Sequence, residues 1–375
     1  MTHPRRRPAQ VRSQARPNTS KESTAASPQR FEAEVLPGLE PWAEQEITQC
    51  LGDAVRLLGR PGGGRIALEF GGSLQRLNDL RSVIAVHLVE DFEIPRPQAL
   101  LGHQHFTRLV RAAQLITDAS APGAFSTLRI SAAGSQSAVL RRLKEELGHA
   151  LRLTSVEDDG DLLLSVRRRP DAQTGWRILL RLSHRPLSAR AWRVCNLPGA
   201  LNATVANVMA RIATPSAKER FLNVACGSGT LLIERLALGA AKLAVGCDLS
   251  PSALDCARQN LQASGHQAVA DLVQADAGSL PFGSGSFDTI VADLPYGMLM
   301  GSEAELRDLY PRFLVEATRV AAASCSLVVI TPRRGLFETA LAEHRAQWTA
   351  QPQFTVKVPF QSGMIEPSIF FLKRA

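Results

Sequence analysis

The chain has 375 residues and a formal net charge of +8, and 45% of its residues are hydrophobic. A chain of this length can form two or three domains, each with a core of its own. It contains neither an apolar run long enough to cross a bilayer nor the apolar stretch of a secretory signal. We therefore expect a cytoplasmic protein that does not insert into membranes.

The cysteines and histidines form no recognisable metal-ligand pattern. No two of the six cysteines make a C-x-x-C pair, and the eight histidines do not stand beside them at ligand spacing. We expect reduced thiols, no structural zinc and no other metal site. The cysteines are Cys50, Cys195, Cys226, Cys247, Cys256 and Cys325.

Positive charge is concentrated in two segments. Residues 1–30 carry seven Arg and Lys against one acid, and residues 101–200 carry fifteen against eight. Residues 1–29, rich in Arg, Pro, Ser and Gln, predict a disordered basic tail. In the middle segment, clustered like charges repel one another unless a polyanion neutralises them, so this segment indicates contact with nucleic acid.

Two small α+β units follow the tail. Residues 30–100 predict a strand, a helix, a hairpin around Gly62-Gly63-Gly64, a second helix and a returning strand. Residues 101–187 predict helices near Phe106–Thr117 and Ser135–Leu151 with strands at 124–131, 162–168 and 177–183. A solvated helix face is an adequate explanation of the basic residues at 141–144. The candidate RNA contacts are Arg141, Arg142, Lys144, Arg167, Arg168, Arg169, Arg181, Arg185, Arg190 and Arg193.

The rest of the chain predicts an α/β domain. After a linker at 188–200, helices and apolar strands alternate with short loops from residue 201 to residue 375. This alternation is typical of a doubly wound, Rossmann-like parallel sheet. The last two predicted strands, 354–358 and 369–373, follow each other without a helix. We expect them to form an antiparallel hairpin at one edge of the sheet.

A glycine loop after the first strand of this domain is the candidate cofactor site. The strand Phe221–Ala225 leads into Cys226-Gly227-Ser228-Gly229-Thr230 and then a helix, which is where an open α/β sheet binds ligands. The loop lacks the third glycine of a dinucleotide site and the G-K-[ST] of an ATP site. Asp248, after the next strand, is placed to accept hydrogen bonds from ribose hydroxyl groups. Asp276, followed by the small Ala277, could receive an adenine amino group.

The turn Asp293-Leu294-Pro295-Tyr296 is the candidate catalytic site. It follows the fourth strand, whose end meets the same edge of the sheet as the glycine loop. The Asp293 carboxylate and the Leu294 carbonyl can accept the two N–H groups of a nucleobase amine, and Pro295 restricts the backbone. Tyr296 offers a ring on which a flipped base can stack. The pattern predicts methyl transfer to an exocyclic amine by alignment of the reacting groups.

Together, residues Asn223 to Thr230 and residues Asp293 to Gly297 resemble the THUMP-containing class I RNA methyltransferases, especially those that make N2-methylguanine in tRNA. The resemblance covers nearly the whole predicted folded chain: 30–100 resembles the family's ferredoxin-like domain, 101–187 its THUMP module and 201–375 its catalytic domain. This chain has Asn223-Val224 where the family loop usually opens with Asp-Pro, and Leu294 where the common motif has Pro.

The resemblance implies S-adenosylmethionine as cofactor and tRNA as partner, with a guanosine of the acceptor stem, at position 6, as target. We expect a monomer. The implied cofactor-binding residues are Asn223, Ala225, Cys226, Gly227, Ser228, Gly229, Thr230, Asp248, Leu249, Asp276, Ala277 and Asp293. The alternatives are methylation of a guanine in rRNA, methylation of adenine in DNA, or RNA binding by a protein whose methyltransferase domain is vestigial.

Overall fold

The computed structural model describes residues 28–169, 174–297, 302–360 and 363–375. The predicted basic tail lies outside these residues except for its last two, and its final residue, Gln29, begins the first strand. The described chain forms an N-terminal and a C-terminal half, each built on one large sheet. No helix within the described ranges is long and apolar enough to cross a membrane.

The N-terminal half has a single sheet with the strand order β2-β3-β1-β4-β8-β7-β5-β6. Its antiparallel β4–β8 pair joins the two predicted α+β units, because β4 belongs to the first and β8 to the second. The division at residue 100 stays a prediction. The strands are β1 (Gln29–Glu34), β2 (Val55–Gly59), β3 (Arg65–Phe70), β4 (Ala85–Phe92), β5 (Thr127–Ala132), β6 (Thr154–Ser155), β7 (Leu162–Arg168) and β8 (Trp176–Arg181).

Helices cover one face of this sheet. Alternate residues of β3, such as Ile66 and Leu68, point to that face and pack in one apolar core with Ile47 of the first helix. The other face carries charged groups, among them Glu32, His87 and Arg181, which lie side by side on β1, β4 and β8. The helices are α1 (Glu40–Leu51), α2 (Leu74–Asn78), α3 (His103–Asp118) and α4 (Ala138–Leu151).

The C-terminal half confirms the predicted doubly wound sheet, with strand order β11-β10-β9-β12-β13-β18-β14. The strands from β11 to β13 are parallel. The helices are α5 (Ala203–Ile212), α6 (Thr230–Leu236), α7 (Pro251–Ala263), α8 (Glu303–Val320) and α9 (Arg334–Ala342). The strands are β9 (Arg220–Val224), β10 (Leu243–Asp248), β11 (Asp271–Gln274), β12 (Phe287–Asp293), β13 (Ala321–Thr331), β14 (Trp348–Ala350), β15 (Phe354–Thr355), β16 (Val358–Phe360), β17 (Gly363–Ile365) and β18 (Ser368–Arg374).

The strand order reverses between β9 and β12, which creates a crevice at the carboxyl ends of these two strands. Apolar residues fill both faces of the sheet beneath it. Leu222 and Ile290 pack on the side of α8, whereas Phe221 and Val291 pack on the side of α5 and α6. The crevice therefore opens above a packed apolar core.

The predicted edge hairpin needs correction. β15 does pair antiparallel with β18, but β18 lies inside the sheet between β13 and β14, so it is not an edge strand. The edge is β14, a short strand that the sequence pattern did not indicate. β18 is almost entirely apolar in its first five residues because both of its faces are covered.

The two halves are joined by shared apolar packing. Leu36 and Leu39 of the N-terminal half belong to the same core cluster as Val205 and Met209 of α5 and Val356 near the end of the chain. All five are buried. The halves therefore form one packed body in the structure.

A buried charge network also crosses this interface. Glu46 of α1 accepts hydrogen bonds from the backbone N–H of Ser82 at 2.7 Å and from the Arg211 guanidinium at 2.6 Å. Glu234 of α6 accepts two from Arg81, each at 2.9 Å, and one from Arg190 at 2.8 Å. The side-chain amide of Asn207 in α5 also donates to Glu234, at 3.1 Å. We call this group of residues the interface network: Glu46, Arg81, Ser82, Arg190, Asn207, Arg211 and Glu234.

Candidate active site

A cavity of about 880 Å³ opens at the carboxyl ends of β9, β10 and β12. This volume lies in the range of small-molecule sites in proteins. Its wall includes residues from the glycine loop, from the end of β10, from the segment after β11 and from the turn after β12. The structure thus brings four separate sequence motifs around one space.

The glycine loop gives the cavity a backbone wall. Ala225, Gly227 and Gly229 have φ values of +51°, +53° and +80°. A Cβ atom on Gly227 would meet no atom within 4 Å, so that side of the loop is open. A Cβ atom on Gly229 would lie 3.2 Å from the Cβ of Ala257, which places Gly229 against α7. The first glycine therefore leaves room for a ligand, and the second lets two helices approach.

Asp248 connects the loop to the neighbouring strand. Its Oδ2 accepts the backbone N–H of Gly227 at 2.8 Å, and its Oδ1 accepts that of Ser250 at 2.9 Å. The residue is 8% exposed, and both oxygens keep lone pairs for a further donor. The next residue, Leu249, is 66% exposed at the cavity wall and offers an apolar surface to a flat ring.

Asn223 lines the cavity with an unsatisfied acceptor. Its side chain is buried, and its Oδ1 has no hydrogen-bond partner in the described structure, while its amide donates weakly to the carbonyls of Val224 and Val291. An unsatisfied buried acceptor costs about 1–3 kcal/mol. Such a group marks a place where a ligand donor fits.

Asp276 lies on the far side of the cavity, beside Ala277. Its Oδ1 accepts the N–H of Gly278 at 2.8 Å, and its Oδ2 faces Arg312 of α8 at 3.0 Å. These contacts keep the pKa of the carboxyl below its usual value. Arg312, which also lines the cavity, was missed by the sequence analysis because it approaches from a helix 36 residues further along the chain.

Hydrogen bonds from two side chains hold the backbone of the turn after β12 in place. The carbonyl of Pro295 accepts the Tyr310 hydroxyl at 2.9 Å, and that hydroxyl also bonds Thr331 Oγ1 at 2.8 Å. The carbonyl of Tyr296 accepts the Arg333 Nε–H at 2.9 Å. Tyr310 and Arg333 belong to the site's support, and no sequence motif marked them.

Asp293, the last residue of β12, presents its carboxyl group to the cavity. Among the described residues this group has no hydrogen-bond or ion-pair partner. Removal from water without such a partner raises its pKa to about 7. Burial and the nearby Asp293 together raise the pKa of Tyr296. Leu294, between them, is fully buried.

Five of the candidate RNA-contacting arginines lie on the surface. Arg168 also rests over the ring of Trp176, with its Cζ 5.4 Å from the ring centroid. An arginine over an aromatic ring keeps its donors available for a phosphate. The five are Arg141, Arg142, Arg167, Arg168 and Arg185.

Three of the other candidates serve the protein interior, and this part of the expectation is corrected. Buried Arg181 donates to the backbone carbonyl of Ser183 at 2.8 Å. Arg190 bonds Glu234 in the interface network. Arg193 donates to the Leu201 carbonyl and to the Thr230 hydroxyl. Their spacing suggested a basic patch, but backbone carbonyls, the Thr230 hydroxyl and a buried acid already accept several of their donors.

The remaining two candidates are also paired. Lys144 is buried and forms an ion pair with Glu157. The Arg169 side chain is only 16% exposed and lies 3.6 Å from Glu93. Neither is a free cation on the surface.

The expectation of reduced thiols is wrong for two cysteines, because Cys195 and Cys256 form a disulfide bond. Asn260 of α7 bonds both the N–H and the carbonyl of Cys195 at 2.9 Å, which holds the linker against the helix that carries Cys256. The other four cysteines are free. In the part of the chain that the structure describes, no group of three His, Cys, Asp or Glu side chains could hold a metal ion.

Comparison with known families agrees with this geometry. Residues 190–362 match the family model UPF0020, described as an RMKL-like methyltransferase domain. This region of the chain is therefore similar to the methyltransferase domain that the family model describes.

Individual relatives are distant. The tRNA (guanine(6)-N2)-methyltransferase of Methanocaldococcus jannaschii is 27% identical over 225 residues, which are 50% of this chain and 57% of that protein. The U6 snRNA (guanine-N(2))-methyltransferase THUMPD2 of Bos taurus is 32% identical over 145 residues, 39% of this chain and 28% of that protein. The chain thus spans little more than half of the first relative and less of the second.

The crystal structure of TrmN from Thermus thermophilus shares the fold of nearly the whole chain. It superimposes with a TM-score of 0.70 over 92% of this chain and 100% of that one, at 23% sequence identity. The predicted arrangement of an N-terminal α+β half before a Rossmann-like methyltransferase sheet is therefore confirmed.

Proposed function

We propose that this chain is an S-adenosylmethionine-dependent RNA methyltransferase that modifies the N2 amine of guanosine 6 in the acceptor stem of tRNA. The observation that carries the proposal is the unpartnered carboxyl group of Asp293 at the switch point of the sheet. The choice of tRNA rests on the activity named for the Methanocaldococcus relative.

The residues around the cavity fit S-adenosylmethionine, which supplies an activated methyl group when it is bound. Gly227 leaves its side of the loop open, and the Oδ1 of Asn223 is a free acceptor for the ammonium group of the cofactor's amino-acid part. Asp248 would accept the ribose hydroxyls, and the exposed Leu249 would cover one face of the adenine. Asp276 remains available for the adenine amine through its second lone pairs.

The target amine is a poor nucleophile because its lone pair is delocalised into the guanine ring. Two acceptors beside it restore a pyramidal nitrogen: the Asp293 carboxylate and the carbonyl of Leu294. Of the carbonyls in the turn, those of Pro295 and Tyr296 already accept hydrogen bonds from Tyr310 and Arg333. The Leu294 carbonyl is therefore the acceptor left for the base.

Asp293 also serves the proton balance. The amine gains a methyl group and must lose a proton, and a carboxylate whose pKa is about 7 can accept it near neutral pH. Tyr296, half-buried at the same place, stacks on the flipped base, which contributes about 1–3 kcal/mol.

The experiment is methyl transfer by the purified chain to unmodified tRNA, with nucleosides identified by mass spectrometry. We expect N2-methylguanosine in tRNA, lost when guanosine 6 is replaced by adenosine. The Asp293→Ala variant should bind S-adenosylmethionine in calorimetry and lose methyl transfer by at least a hundredfold. Full transfer by this variant would refute the assigned centre.

A second RNA belongs in the same assay, because one relative carries the name of a U6 snRNA enzyme. Methylation of a U6 transcript but not of tRNA would show that the proposed RNA substrate is wrong and that the proposed methyl-transfer reaction is right. If the wild-type chain does not bind S-adenosylmethionine, the vestigial alternative is correct.

A further inference from the structure

The hairpin of β16 and β17 borders the catalytic turn. The ring of Phe360, at the end of β16, meets the ring of Tyr296 edge to face, with centroids 6.0 Å apart and planes at 72°. Phe360 belongs to no motif of the sequence analysis and does not line the cofactor cavity. Its contact is with the aromatic ring on which the proposed base would lie.

The Tyr296 ring depends on this contact for its orientation. Within the described residues its hydroxyl group has no hydrogen-bond partner, and Phe360 is the ring that packs on it. The backbone of Tyr296 is held by Arg333, but a backbone bond leaves the two side-chain torsions free. An edge-to-face contact selects one tilt of a ring because its energy depends on the angle between the two planes.

The segment that leads into the hairpin is held by the N-terminal half. The N–H of Lys357 donates to the carbonyl of Pro37 at 2.9 Å. A Cβ atom on Gly38, whose φ is +104°, would lie 2.1 Å from the carbonyl oxygen of Thr355, so the two backbones touch. The buried Val356 packs with Leu36 in the shared core. Phe360 thus stands three residues from a fixed anchor.

We propose that Phe360 is a positioning residue for the target base, because it sets the tilt of the Tyr296 ring from a hairpin anchored on the N-terminal half. This inference rests on the proposed function. It implies that the half assigned to RNA binding also fixes one wall of the base pocket.

The test uses the full chain labelled with 3-fluorotyrosine, because the sequence contains two tyrosines, Tyr296 and Tyr310. The Tyr296→Phe variant assigns the two ¹⁹F resonances. Phe360→Leu should shift and broaden the Tyr296 resonance and leave that of Tyr310 unchanged. The matched control is Met364→Leu on the same hairpin, since Met364 is 55% exposed. We expect no change in either resonance there.

Methyl transfer is measured on the same proteins. Phe360→Leu should lower kcat/KM for RNA roughly two- to tenfold, with unchanged affinity for S-adenosylmethionine. Phe360→Tyr, which keeps a ring, should restore most of the loss, and Met364→Leu should be as active as the wild type. If Phe360→Leu leaves either the Tyr296 resonance or the RNA methylation unchanged, the positioning role is wrong.

The outcome is separable from a failure of the proposed function. A wild-type chain that methylates no RNA refutes the proposed function itself, whatever the fluorine spectra show. A wild-type chain that methylates RNA, with Phe360→Leu fully active, refutes the role of Phe360 and leaves the function standing.

Discussion

Carboxylate groups in this molecule occupy two opposite environments. Glu46 and Glu234, in the interface network, have every oxygen paired with arginine, amide or backbone donors. Asp293, at the turn that we propose to be catalytic, has no partner within the described residues. Both kinds of site remove a carboxylate from water, which is costly unless donors replace the lost hydration.

The paired carboxylates stabilise the structure, whereas the unpaired carboxylate lies where we propose that the reaction takes place. In the interface network the donors come from both halves of the protein, so the charges hold the halves in one arrangement. At Asp293 such donors are missing, and the raised pKa reflects the unfavourable desolvation of the carboxylate. The structure tolerates this cost where a substrate can bring the missing donors.

The largest expected effect is on the interface network. Glu234→Ala leaves Arg81 and Arg190 without their partner and should lower the free energy of unfolding by about 3–5 kcal/mol. Denaturant unfolding measures this change. Glu303→Ala is the control, because Glu303 forms an exposed pair with Arg307 and its loss should matter little. Equal stability of both variants would contradict the structural role of Glu234.

Asp293→Asn should raise the free energy of unfolding, whereas Glu234→Ala should lower it. The folded-state pKa of about 7 lies above the ordinary 3.8, so the folded protein holds this proton more tightly than the unfolded chain. Stability is therefore lost as pH rises from about 4 to about 7. The asparagine variant should be more stable than the wild type by about 2–4 kcal/mol at pH 8 and equal to it near pH 4. Unfolding at both pH values tests this, and a destabilised variant at pH 8 would show that Asp293 is paired.

The rate of methyl transfer should follow the ionisation of the same group. Only the carboxylate accepts both the amine N–H and the released proton, so single-turnover rates should fall about tenfold per pH unit below 7 and level off above it. A profile that is flat between pH 5 and pH 8 would contradict the raised pKa. Calorimetric binding of S-adenosylmethionine over this range serves as the control.

The smallest effects concern the surface arginines. Arg167→Ala or Arg168→Ala should weaken RNA binding a fewfold and reduce its salt dependence by about one unit of slope. Arg190→Ala should instead lower stability and leave that slope unchanged, since Arg190 bonds Glu234. Salt titrations of RNA binding compare the three variants. A reduced salt dependence of RNA binding for Arg190→Ala would show that Arg190 contacts RNA after all.

The sequence by itself was sufficient for the parts of the site that depend on local chain order. A strand, a glycine loop and a helix determine where Gly227 lies, and the ends of the next strands determine Asp248 and Asp293, because parallel strands finish at one edge. The alternation of elements likewise predicted the sheet. These features need only short stretches of chain.

Only the tertiary structure decided which side chains meet across long separations. Tyr310, Arg333 and Phe360 contact the turn that contains Pro295 and Tyr296, and they lie 15, 37 and more residues further along the chain. The same holds for the joined N-terminal sheet, the place of β18, the Cys195–Cys256 bond and the arginines turned inward. An arginine in the sequence looks the same whether its guanidinium lies on the surface or beside a buried acid. Its role depends on which donors and acceptors the folded chain places within about 3 Å, and no local pattern contains that information.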